Sequence, residues 1–376
     1  MAPRSWAGVD GRGARGASFL RRGTLASAEA VHKGEAAAEL RRGGWILRAR
    51  HGPSCDALCA MSFPLDPSEP ATALHLDVPA STSNLGPGFD FLGLTLGLWL
   101  RVRAVRALER APGAHRLRWA EGGEDRGEDD LVLRAIRAGE ARRGTERPAM
   151  DIELASEIPV GRGFGSSGAA VAAGLLLEAA AAGDHDALES RERTLLPDAL
   201  GLEGHPDNAA ASLLGGCTLG VPHESGLTVV RQPVHPALGF AVAWPESPLY
   251  TEEARSVLPA EVPFADAVEN PRRLALLLEG LRTGDPTLLA LGSADRLHER
   301  FRRALIPGSD RACAEAIEAG AATACLSGAG SGLVALGPIE RMAAVAEALA
   351  RPLAGGQGRV VAHVTAAPVP RWNTSA

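Results

Sequence analysis

Alternation of apolar and polar residues first becomes sustained over residues 72–78 (Thr-Ala-Leu-His-Leu-Asp-Val), which predicts a strand ending in a turn at Pro79. Residues 98–105 alternate apolar side chains with arginine and predict a strand on a half-exposed sheet; residues 116–119 and 149–154 predict two more. Helical spacing runs over 131–142, over the alanine- and leucine-rich 169–182, and over 185–200, the last interrupted at Pro197. Beyond a strand at 217–221 the pattern predicts strands at 227–232 and 239–244, a loop at 248–258, and helices at 271–281, 286–304 and 310–320. A strand leading to Leu336, a helix at 339–349 and a last strand at 359–364 complete the chain. We place two domains at 72–225 and 226–376. Residues 1–71 are expected outside the fold: 1–60 are rich in Arg, Gly and Ala without a period, and Met61 stands just before the first ordered segment. A disordered extension, an Arg-rich leader, or a start codon placed too far upstream would each give this pattern, and we favour the last.

Between these elements lie four polar or glycine-rich stretches. Residues 159–168 read Pro-Val-Gly-Arg-Gly-Phe-Gly-Ser-Ser-Gly and open the apolar helix. Gly161, Gly163 and Gly165 can take backbone angles closed to other residues, while Ser166 and Ser167 stand at a helix N-terminus, so the stretch can cradle an anion such as a nucleotide phosphate. A glycine-rich turn with a serine cap satisfies the same pattern. Residues 79–90 pack small and turn-forming residues around Asn84 and Asp90, which can face a ligand or form Asx turns. In 203–208 (Glu-Gly-His-Pro-Asp-Asn), His205, Asp207 and Asn208 can orient a hydroxyl or a metal-bound water, or simply cap a helix. Residues 326–336 form another glycine-rich loop and strand, and Arg255 and Arg302 can fork onto a carboxylate or remain solvated.

Composition narrows the chemistry. Lys33 is the only lysine, so a Walker-A loop, a protein-kinase strand lysine and a pyridoxal Schiff base are all excluded beyond it. Residues 1–60 carry ten basic and five acidic side chains, which leaves −11 of a net −6 on the remainder. An acidic body disfavours long-range attraction to nucleic acid or an anionic membrane. Glu178 interrupts the most apolar helix, so no run of about 18 apolar residues suggests a span. Five scattered cysteines give no disulfide framework and suit reduced thiols in the cytoplasm.

Taken in order, these loops resemble the GHMP family of small-molecule kinases over residues 74–364. The family pattern Pro-Ala-(small)3-Asn-Leu-Gly-x-Gly-Phe-Asp is met at 79–90, and Pro-x-x-x-Gly-Leu-Gly-Ser-Ser at 159–167, with Phe164 for Leu. Glu-Gly-His-Pro-Asp-Asn is complete at 203–208, Thr-x-Glu-Ala-Arg at 251–255, His-Glu-x-(aromatic)-Arg at 298–302, and Leu-Ser-Gly-(Ala or Ser)-Gly at 326–330. The resemblance implies an α+β, two-domain fold: an ATP-binding half with a β-α-β phosphate loop, then a ferredoxin-like α/β sandwich. It implies ATP phosphates on the loop from Pro159 through Gly161, Gly163, Gly165 and Ser166, Ser167 beside Mg²⁺, and a cytoplasmic, often dimeric enzyme. Phosphoryl transfer to the side-chain hydroxyl of L-homoserine is the implied reaction. The acceptor would lie beside Asn84, Asp90, His205, Asn208 and Thr251, its carboxylate held by Arg255 and Arg302. A GHMP kinase for another small hydroxy acid, or a family member that binds without catalysis, are the alternatives.

Two departures qualify the match. Family members carry a metal-associated Glu eight residues before the motif histidine; Pro197 stands there, so Asp198 is expected to reach the metal instead. The family's Asn near the adenine is Asp130.

Overall fold

Two long neighbouring strands, β1 (Ala73–Asn84) and β2 (Gly88–Arg106), run antiparallel and carry the rest of the first sheet. The computed structural model describes residues 73–120, 127–224 and 226–365 and the backbone of 371–373; the expectations for residues 1–71, Cys55 and Cys59 among them, and for most of the acidic loop lie outside these. Pro79 does not end β1. It stands opposite Trp99, and the register slips after it and again after Ser83, so bulges absorb the missing donor. The segment expected to be a loop at 79–90 is therefore mostly strand, turning only over 85–87.

The chain continues through β3 (Arg116–Trp119), α1 (Leu131–Arg143), β4 (Met150–Ser156) and α2 (Ser166–Ala181). Three short helices follow, α3 (His185–Glu189), α4 (Arg191–Thr194) and α5 (Leu196–Glu203), where one interrupted helix was expected; Pro197 sits in the first turn of α5, where its missing N–H costs nothing. Then come α6 (Asp207–Leu214), β5 (Cys217–His223) and β6 (Gly226–Gln232). The strand predicted to open the second domain is β6, yet it pairs with β5 and extends the first sheet, as does the terminal β11 (Arg371–Asn373) against β1. Strand order is β11-β1-β2-β4-β3, with β5 also on β2 and β6 beyond it.

The second sheet takes β7 (Leu238–Trp244), β8 (Thr323–Leu326), β9 (Leu333–Pro338) and β10 (Gln357–Val361) in the order β10-β7-β9-β8, all antiparallel. With helices between β7 and β8 and α12 (Met342–Ala350) between β9 and β10, this is the ferredoxin-like arrangement the resemblance implies. The intervening helices are α7 (Thr251–Ser256), α8 (Phe264–Thr283), α9 (Pro286–Gly292), α10 (Glu299–Arg302) and α11 (Ser309–Glu318). The segment expected as a loop at 248–258 thus contains a helix, and α8 starts well before Pro271, which it carries inside. The single helix expected at 286–304 is broken before Asp295, whose Oδ2 accepts from the N–H groups of Leu297, His298 and Glu299 at 3.0, 2.6 and 2.8 Å.

Both sheets feed one core. Strand β7 is buried throughout, with Phe240 and Val242 in the same cluster as β1, β2, α1 and α2, and Ala241 and Ala243 in a second cluster with α11 and α12. Helix α2 is buried almost all round; its Glu178, fully enclosed, is paired with Arg143 at 2.8 Å and Arg147 at 3.2 Å, as a buried carboxylate requires. Among the described residues no helix is long and apolar enough to cross a membrane.

Candidate active site

The cradle lies at the seam between the halves. Gly161, Gly163 and Gly165 have φ of 67°, 73° and 65°, and Gly165 is the residue before α2. Four successive carbonyls are held by neighbours: Gly161 O accepts from Leu249 N (2.9 Å), Arg162 O from Gly332 N (3.0 Å), Gly163 O from Ser327 Oγ (2.8 Å) and Phe164 O from Ser81 N (3.2 Å). Ser327 Oγ also lies 2.9 Å from Thr82 Oγ1. With these carbonyls held from behind, the cradle leads into α2 at Ser166, whose first N–H groups have no acceptor within the helix, and that is the condition for an anion site. Arg162 is no phosphate ligand in this arrangement: its guanidinium donates to Pro245 O (3.0 Å), Val160 O (2.9 Å) and Glu246 O, bracing the cradle on the strand end after β7.

A Cβ on Gly163 would fall inside the carbonyl oxygen of Ser327, and its φ is closed to side chains. Gly163→Ala is therefore expected to raise KM for ATP about tenfold or more and to lower the melting temperature, measured by steady-state kinetics and calorimetry.

Beside the cradle, Asn208 on α6 fills the gap between α2 and β1. Its Oδ1 accepts from Ser81 Oγ at 3.0 Å and its Nδ2 donates to Ser83 Oγ at 3.1 Å. Asp207, buried, holds the motif together through one oxygen: Oδ1 accepts from Asn208 N at 2.7 Å and lies 2.6 Å from His205 Nδ1. That bond, ahead of the partial burial which opposes it, raises the His205 pKa and leaves Nε2 as the free face of the ring.

Across the cleft, Asn84 and Asp90 both adopt positive φ, 71° and 64°. Asn84 is committed at both ends of its amide: Oδ1 accepts from Asp90 N at 2.9 Å and Nδ2 donates to Gly328 O at 2.8 Å. Asn84, expected beside the acceptor, thus shapes the turn that carries Asp90. Asp90 is forked by Arg255, at 2.7 and 3.1 Å. Arg302 is fully buried, donating from Nε to Ala254 O (3.1 Å) and from Nη1 toward Gly328 O and His298 Nδ1 (both 3.4 Å); Nη2 has no protein partner among the described residues. Burial first, then the neighbouring Arg255 cation, pull its pKa down to about 10. Both guanidinium groups lie over the Phe89 ring, at 5.7 Å for Arg255 and 5.0 Å for Arg302. Thr251 is exposed at the start of α7, the helix that carries Arg255.

Asp198, expected to reach a metal, lies in the first turn of α5 and accepts from Arg142 Nε at 2.7 Å. The carboxylate near Ser167 is Glu203, whose charged form the Ser167 side chain favours. One of its oxygens, Oε2, is sealed from solvent without a hydrogen-bond partner, and burial raises the carboxyl pKa to about 7. Glu203 stood in the hexapeptide all along; counting eight residues back from His205 passed over it. Asp130, buried, caps α1 by accepting from Val132 N at 2.8 Å and lies 3.3 Å from Trp119 Nε1.

An orphaned carboxylate oxygen next to a serine hydroxyl, at the mouth of an anion cradle, fits a hard divalent cation that takes its other ligands from phosphate and water. Among the described residues no group of three or more His, Cys, Asp or Glu side chains could hold a metal ion.

The profile of the GHMP kinases N terminal domain matches residues 130–216, and that of GHMP kinases C terminal matches 277–355. A homoserine kinase of Synechococcus sp. (strain CC9605) is 41% identical over 280 residues, 73% of this chain and 87% of that protein. One from Microchaete diplosiphon is 36% identical over 278 residues, 74% of this chain and 89% of that one. The crystal structure of homoserine kinase from Cytophaga hutchinsonii ATCC 33406 superposes with a TM-score of 0.73 at 26% identity, over 82% of this chain and 100% of that one. The order of loops, the sheet topology and these relatives agree: the chain belongs to the GHMP kinases, among the homoserine kinases.

Proposed function

We propose that the protein transfers the γ-phosphoryl group of ATP to the side-chain hydroxyl of L-homoserine, giving O-phospho-L-homoserine for threonine biosynthesis. The observation that carries this reading is the charge set of Asp90, Arg255 and Arg302. Arg255 is already paired with Asp90, whereas Arg302, fully buried with its pKa depressed, makes no salt bridge among the described residues and keeps Nη2 for an anion. An amino-acid zwitterion supplies what is missing: its carboxylate bridges Arg255 and Arg302, and its ammonium takes over Asp90. The existing Arg255–Asp90 pair has both side chains more than a third exposed, so it exchanges at little cost.

The donor lies on the N–H groups of the cradle, with Ser167 and Glu203 as the protein ligands of Mg²⁺. Bound there, Mg²⁺ would neutralise charge on the phosphates. In the transfer, a bond forms from the acceptor hydroxyl oxygen to the γ-phosphorus, the bond to the β–γ bridging oxygen breaks with its electron pair leaving on ADP, and the hydroxyl proton passes to solvent. Such a loose transition state needs positioning more than a strong base, which suits a chain without lysine in this region. His205 Nε2, fixed by Asp207 on the other nitrogen, orients the hydroxyl. Residues 72–225 would serve the nucleotide and 226–376 the acceptor arginines, with β6 and β11 returned to the first sheet. A cytoplasmic location, supported by the buried free thiols Cys217, Cys313 and Cys325, and a homodimer belong to the same proposal.

Coupled ADP release with homoserine, threonine, serine and mevalonate is the direct test. Turnover is expected with homoserine and at least about a hundredfold lower kcat/KM with mevalonate, which has no ammonium for Asp90. Folded protein that releases no ADP with homoserine overturns the reading.

A further inference from the structure

His298 is not accounted for by the reaction, although it is fully buried and touches both halves of the acceptor cleft. Its ring Nε2 lies 2.9 Å from Gly86 O. A carbonyl only accepts, so Nε2 carries the hydrogen, and in the neutral ring Nδ1 keeps a bare lone pair. That lone pair faces Arg302 Nη1 at 3.4 Å. The ring face stacks on Phe89 at 4.8 Å, with 25° between planes, and Phe89 underlies both arginines. The turn carrying Phe89 and Asp90 is pressed onto the same region by other contacts: Asn270 Nδ2 donates to Pro87 O at 3.2 Å, and a side chain at Gly86 would enter the carbonyl of Ser293.

We propose that His298 is a positioning residue, whose Nδ1 fixes the plane of the Arg302 guanidinium while Nε2 and the ring face hold the Gly86–Asp90 turn in register with it. The argument rests on the acceptor reading above. Arg302 is long and has a single unoccupied nitrogen, Nη2, for a carboxylate; without His298 its guanidinium plane would be held only by Nε on Ala254 O and by the 3.4 Å contact of Nη1 to Gly328 O, and would have more freedom to turn about the Cδ–Nε bond. Phe89 cannot set that rotation, because a ring face attracts a cation without directing its N–H bonds.

The test is a variant series on the whole chain with KM for homoserine, KM for ATP and melting temperature read together. His298→Phe keeps the stack and removes both hydrogen bonds; His298→Asn places an amide oxygen close to the Nδ1 position. His298→Phe is expected to raise KM for homoserine about 20-fold and to leave KM for ATP within about twofold, and His298→Asn to recover most of that loss. In a cycle with Arg302→Leu, His298→Phe is expected to add less than about twofold to the homoserine KM, since its effect passes through Arg302. Equal changes in both KM values, a melting-temperature loss with an unchanged homoserine KM, no recovery with Asn, or additive effects in the cycle would each overturn the assignment. If the unaltered protein itself shows no homoserine-dependent ADP release, the acceptor reading fails first, and the variants do not bear on it.

Discussion

Glu203→Gln is expected to lower kcat about a thousandfold while leaving the fold intact, because it removes the charge beside Ser167 and keeps the shape of the side chain. Asp198→Ala, by contrast, should change kcat less than about twofold, since it cuts only a partly exposed pair with Arg142. The comparison decides between the two carboxylates of α5. The pH dependence gives a second reading of the same site. The Glu203 carboxyl, raised by burial to about 7, must lose its proton to serve as a ligand. The apparent Mg²⁺ requirement should therefore rise about tenfold per pH unit below 7 and flatten above it, and this slope should vanish in Glu203→Gln. The stability effect follows from the same shift. An exposed glutamate titrates near 4.5, so the folded protein holds this proton more tightly than the unfolded chain does. That contribution is present in full below 4.5 and is lost as the pH climbs to 7. Calorimetry with and without Mg²⁺ and a non-hydrolysable ATP analogue should show the largest metal stabilisation above pH 7, and an upward trend with acid instead would contradict the ligand assignment.

Arg302→Leu is expected to raise KM for homoserine about a hundredfold and KM for ATP less than about threefold. The notable part is stability. Arg302 is a buried cation whose pKa has been pulled down by burial and by Arg255, so the apo protein is already charged a penalty for holding it. Replacing it with a similar-sized apolar side chain should leave the melting temperature unchanged or higher. Lost binding together with retained stability separates an acceptor ligand from a structural arginine; parallel losses in both would tell against the clamp.

Much of this was legible in the chain. The period over 131–142 located α1 to within a residue, and 310–320 located α11 almost as well, because both have one apolar face and clear stops. Local rules failed where tertiary contacts outweighed them. Pro79 reads as a stop, but opposite Trp99 at a bulge it needs no donor; Pro271 reads as a start, but lies inside α8. The pairing of β6 with β5, which moves a strand into the other half, is a long-range choice that a period of two does not encode. The cradle was visible from its glycines, and the arginines from their segments. Glu203 was hidden by the assumption of a fixed spacing to His205, although a carboxylate at the end of one helix can only be paired with the start of another in space. The motif placed Asn84 beside the acceptor; that both ends of its amide also hold backbone, one of them 244 residues away, is a long-range contact no local pattern displays.

The carbonyls beneath the cradle have one further consequence. Ser81 holds one of them from the first sheet, while Leu249, Ser327 and Gly332 hold three from the second half, and Gly328, next to Ser327, is gripped by Asn84 and Arg302. On the proposed reading, the platform under the triphosphate and the anchor for the acceptor would thus share a backbone segment of a few residues. Any free energy by which one substrate tightens that segment is felt equally by the other, in either order of addition. A chain built this way has no independent nucleotide module to lend: its affinity for the donor is a property of both halves at once.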